Sequence, residues 1–62
     1  MIIKIPAWCP LGSIVEVKCG DEWKKHQIIG YTYKGFLHHP LNDKHAIQRS
    51  KFSDYEKTVR SC

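Results

Sequence analysis

Polar and apolar residues alternate along most of this chain. In Ser13-Ile14-Val15-Glu16-Val17-Lys18-Cys19, the residues Val15, Val17 and Cys19 share one face, and Glu16 and Lys18 share the other. That period of two is the mark of a half-buried strand. Cys19-Gly20-Asp21-Glu22 reads as the turn that follows, with glycine supplying a positive φ and aspartate a local hydrogen bond. A second strand is predicted from Trp23 to Tyr33, with Ile29, Tyr31 and Tyr33 on one face and Ile28, Gly30 and Thr32 on the other. Gly30 in its middle predicts a bulge, a bend or a close backbone approach. Lys34-Gly35 reads as a two-residue hairpin turn into a third strand, Phe36-Leu37-His38-His39. Pro40-Leu41-Asn42-Asp43 is a loop by composition, and His45 to Arg49 a fourth strand. Ser50 to Tyr55 reads as one helical turn with Ser53 as its cap, and Glu56 to Val59 as a fifth strand.

No stretch carries a helical stripe. Four or five short antiparallel strands, tight turns and one short helical turn near the C-terminus predict an all-β fold, a small SH3-like barrel. Curling the sheet limits its exposed edges. The chain has 62 residues, and one so short buries only about 60% of the surface that its unfolded form exposes. A single domain is therefore expected over residues 11–62, preceded by an N-terminal arm, residues 1–10. The arm is apolar (Ile2, Ile3, Ile5, Ala7, Trp8) and has no evident place inside so small a barrel. It is expected to pack across the barrel bottom or on a second copy, as a homo-oligomer contact.

Composition is that of an ordinary globular domain, but the charge is uneven. The net charge of +4 is concentrated in residues 24–51. There Lys24, Lys25, Lys34, Lys44, Arg49 and Lys51 face Asp43 alone, and all four histidines fall in the same stretch. Such a cluster suits an anionic partner. The plain alternative is a solvated surface that keeps the domain soluble. Three cysteines, no leader-like start and no apolar run near the roughly 18 residues of a membrane span predict an intracellular, cytoplasmic protein with reduced thiols and no membrane partner.

One stretch is similar to a known family. Leu11-Gly12-Ser13-Ile14-Val15-Glu16-Val17-Lys18-Cys19-Gly20-Asp21-Glu22-Trp23, followed by Gln27-Ile28-Ile29-Gly30-Tyr31, resembles the opening of the type II, trimethoprim-insensitive dihydrofolate reductases. Those are short SH3-like chains that assemble as tetramers around a pore binding NADPH and dihydrofolate. Gly-x-x-Val, Lys-x-Gly-x-x-Trp and Gln-Ile-Ile-Gly-aromatic carry the resemblance, over some forty residues and with one extra residue between Trp23 and Gln27. Ala46-Ile47-Gln48-Arg49-Ser50 falls where that family has its pore-lining Ser-Val-Gln-Ile-Tyr. Only Gln48 keeps the corresponding residue. The family's pore lysine would fall at Val17, and Lys18 is one residue along, on the opposite face. The resemblance implies the fold, and its departures argue against reductase activity. An active or degenerate reductase-like oligomer is the third reading.

Catalytic and metal signatures are missing. Cys9 and Cys19 are ten apart and His38-His39 are adjacent, unlike the paired ligands of structural zinc. Cys19 reads instead as a small buried hydrophobe and the histidines as surface residues. No nucleophile motif and no phosphate loop occurs, so neither catalysis nor a cofactor is expected. Aromatics interleaved with cations fit nucleic-acid binding, bases stacking on rings while cations neutralise phosphates. The candidate residues are Trp23, Lys24, Lys25, Tyr31, Tyr33, Arg49 and Lys51. A non-enzymatic module binding nucleic acid is the leading expectation. The alternative is an adaptor or inhibitor that binds an acidic protein.

Overall fold

The computed structural model describes residues 5–61. It contains strands β1 (Ile14–Cys19), β2 (Glu22–Tyr31), β3 (Gly35–Pro40), β4 (Gln48–Lys51) and β5 (Val59–Ser61), with a 3-10 turn at Phe52–Asp54 before β5. All neighbours in the single sheet are antiparallel, in the order β4-β3-β2-β1-β5. The chain climbs the sheet as a meander, and β5 returns to the far side of β1. The result is the small all-β fold that the alternation predicts, its sheet curled into a half-barrel, with the helical turn just before the last strand.

The first hairpin follows the sequence closely. Cys19 pairs with Glu22 around Gly20-Asp21, and Gly20 takes φ +64, a conformation that costs glycine little. Val15 is buried and Val17 half-buried, but Cys19 is exposed at the end of the hairpin. The buried thiol is Cys9, in the core, where desolvation pushes its pKa up to about 11.

The Gly30 region contains the expected bulge. Register passes from Ile28↔His38 to Gly30↔Leu37, which leaves Ile29 as an extra, unpaired residue. An inserted residue reverses the alternation beyond it. Ile28 and Tyr31 therefore both face the core and Ile29 faces solvent, which corrects the grouping of Ile29 with Tyr31. Strand β2 ends at Tyr31, and Thr32 N donates to Gly35 O at 2.9 Å. The turn is thus centred on Tyr33-Lys34 rather than Lys34-Gly35. Gly35 serves a different need, since a Cβ there would lie 2.0 Å from the Ser50 carbonyl oxygen. Glycine lets β4 close tightly on β3.

Three boundaries shift toward the C-terminus. After Pro40, Asp43 N donates to Pro40 O, Ala46 N to Asp43 O and His45 N to the Asp43 carboxylate. These turns use up residues 41–47, so the fourth strand is Gln48–Lys51 rather than His45 to Arg49. The helical turn is capped by Asp54, whose carboxylate accepts from Lys51 N at 3.1 Å, not by Ser53. Lys57 N and Thr58 N then both donate to Asp54 O, which delays the fifth strand to Val59.

The core consists of Cys9, Val15, Ile28, Phe36 and Val59, with Trp8, Val17, Tyr31 and Phe52 packed against it. Burying a side chain such as Phe36 stabilises the fold by about 1.5–3 kcal/mol. Trp8 stacks on Tyr55 at 4.2 Å and meets Phe36 edge-on at 5.7 Å. Tyr31 Oη donates to the Cys9 carbonyl at 2.7 Å. The described end of the arm therefore packs across the barrel and completes its core. Ile2 and Ile3, on which the expected copy-to-copy contact also drew, lie outside the described residues.

Candidate functional site

Sheet order divides the seven candidate residues. Trp23, Lys24 and Lys25 lie at one end of β2, opposite Lys18, Val17 and Glu16 of β1. Strand alternation sends Lys24 to one face and its neighbours Trp23 and Lys25 to the other. Lys24 Nζ lies 3.1 Å from the Glu22 carboxylate. That hydrogen bond and charge hold the ammonium above its ordinary pKa. Trp23 is half-buried beneath the Arg60 guanidinium, 4.1 Å from its ring centre. The same guanidinium donates to the Glu16 carboxylate at 2.8 Å.

Arg49 and Lys51 are on β4 at the opposite edge, opposite Leu37 and Gly35. With Thr32, Lys34, Ser50 and Asp54 they line a groove of about 580 Å³. Tyr33 stands beside it at the hairpin tip, 63% exposed, with Lys34 Nζ 5.6 Å from its ring centre. Two tyrosines two residues apart thus have opposite fates. Tyr31 is held in the core, and burial keeps its phenol above the ordinary pKa, with a smaller contribution from Cys9. Tyr33 is available to stack.

A second groove, of about 460 Å³, opens at the β1–β2 end. Lys18, Lys24 and Lys25 rim it, Val17, Pro40 and Leu41 give it an apolar wall, and His26 reaches its floor. Behind that floor lies a feature that the sequence reading missed. His26, His38 and His39 are buried, not on the surface as expected. His26 Nδ1 and His38 Nδ1 are 2.8 Å apart, and His38 Nε2 is 2.8 Å from Ser50 Oγ. A contact between two ring nitrogens requires one proton between them, so the two rings are never both cationic, and their burial favours the neutral pair. Desolvation lowers both pKa values. His38 falls to about 4, helped by the charges of His26 and His39, and His26 is lowered further by His39. The spacing Phe36-Leu37-His38 carried the signal, since His38 shares the inward parity of Phe36.

Among the described residues no three His, Cys, Asp or Glu converge as a metal site would require, and no helix is long and apolar enough to cross a membrane. Comparison of the chain with protein-family models, with curated proteins and with solved structures gives no match in any of the three.

Proposed function

We propose that this chain is a non-enzymatic, cytoplasmic binding module for an anionic partner, nucleic acid ahead of an acidic protein, and that the β3–β4 corner is its contact surface. The observation that carries the reading is the groove lined by Lys34, Arg49 and Lys51 beside the exposed ring of Tyr33. Among the described residues Asp54 is the one carboxylate in that lining, and it is engaged by the backbone of Lys51. A stacking ring beside cations that make no ion pair among the described residues suits a single strand, whose bases stack while its phosphates are neutralised. Trp23, Lys24 and Lys25 lie at the other end of β2 and contribute attraction at a distance, because Lys24 is bridged to Glu22 and the Trp23 ring lies beneath Arg60.

The test is a fluorescence titration of labelled single- and double-stranded DNA and RNA at two salt concentrations. Saturable binding that weakens steeply with salt is expected, with single strands preferred. No binding at low salt would remove nucleic acid as the partner, and the acidic-protein reading would take its place.

A further inference from the structure

We infer that the groove at the β1–β2 end is a second binding site, for a small molecule bearing an oxyanion on an apolar body, with His26 as its directed hydrogen-bond donor. The groove has the size of a small-molecule site. Its charged lining residues among those described are Lys18 of β1 and Lys24 and Lys25 of β2, beside neutral Asn42, Gln48 and His26, with no carboxylate in the lining among the described residues. Lys18 and Lys25 make no ion pair among the described residues. Val17, Pro40 and Leu41 offer contact to an apolar body.

His26 gives the site a directed donor. Its Nδ1 is bound to His38, and its Nε2 has no partner among the described residues. No fully buried side-chain polar atom is left unpaired there, so Nε2 opens into the groove that His26 lines. With both rings neutral, the two short contacts allow two proton arrangements. In one, His26 Nδ1–H donates to His38, whose Nε2–H donates to Ser50. His26 Nε2 is then bare, and the Ser50 hydroxyl proton is free. In the other, His38 Nδ1–H donates to His26, His26 Nε2 carries its proton into the groove, and Ser50 O–H donates to the bare His38 Nε2. An oxyanion accepts hydrogen bonds only, so it selects the second arrangement.

Ring-nitrogen NMR of the full chain tests this with phenyl phosphate, benzoate and benzyl alcohol as probes. Both anions are expected to bind saturably and the alcohol not, and the tighter anion assigns phosphate or carboxylate as the natural group. In the saturated complex His26 Nε2 should read as N–H and His38 Nε2 as bare. The exposed double variant Lys18→Gln, Lys25→Gln should weaken binding about tenfold. Equal binding of benzyl alcohol, a bare His26 Nε2 at saturation, or unchanged affinity of the lysine variant would each overturn the site.

Discussion

The two ends of the sheet carry similar numbers of cations but differ in what surrounds them. At the β1–β2 end, Lys24 is bridged to Glu22, and Arg60 is divided between Glu16 and the ring of Trp23. At the β3–β4 corner, Lys34, Arg49 and Lys51 have no carboxylate partner among the described residues, and Asp54 is taken by a backbone amide. An exposed ion pair adds little stability, yet it cancels much of the field that a partner would meet. Lys18 and Lys25 at the β1–β2 end are also unpaired among the described residues, but the ring beside them is covered by Arg60, so unbalanced cations beside an exposed ring mark an interface better than the local density of lysine does.

The corner depends on β4 lying close against β3, so the largest effect is expected at Gly35. Gly35→Ala places a Cβ against the Ser50 carbonyl oxygen, with the Ser50 carbonyl carbon and Lys51 Cα also within 3.0 Å. Backbone atoms cannot step aside as a side-chain tip can, and the cost should be about 3 kcal/mol by urea denaturation. Oligonucleotide binding should fall with it. A variant of unchanged stability and affinity would show that β4 is not held by this approach.

Acid should separate the buried histidines from the exposed charges. The folded pKa of His38 lies at about 4, below its ordinary 6.5, and that of His26 is lowered too. The unfolded chain then binds protons first as pH falls, so the stability present above pH 6.5 is lost on the way down to pH 4. The loss should reach roughly 2–3 kcal/mol, read as a falling urea midpoint. A midpoint flat across that window would contradict the neutral pair.

The two tyrosines give the sharpest contrast at smaller scale. Tyr33→Ala should cost about 1–3 kcal/mol of oligonucleotide binding and little stability. Tyr31→Phe should do the reverse, losing the bond to Cys9 and about 1 kcal/mol of stability while leaving affinity intact. Loss of affinity at Tyr31 with none at Tyr33 would move the interface off the corner.

Features of the fold that depend on neighbours in sequence were legible before the structure. The β1 alternation, the Gly20-Asp21 turn and the bulge beside Gly30 are local patterns, and each is where the sequence placed it. Features set by distant partners were not. The start of β4 depends on turns around Asp43 and on the closeness that Gly35 permits. The burial of His26 and His38 depends on the two meeting across strands, which no single strand displays. The basic stretch 24–51 looked like one patch because it is continuous in sequence. Sheet order sends Lys24 and Lys25 to one end and Arg49 and Lys51 to the other.

Two double charge reversals, compared in one salt-dependent oligonucleotide titration, test the central claim most directly. Arg49→Glu with Lys51→Glu should nearly abolish binding, and in whatever binding remains the salt slope should be shallower by about 1.4, the value for two lost phosphate contacts on a single strand. Lys24→Glu with Lys25→Glu should weaken binding modestly and leave the slope nearly unchanged. The opposite ranking, or equal losses from both pairs, would contradict the assignment of the interface to the β3–β4 corner.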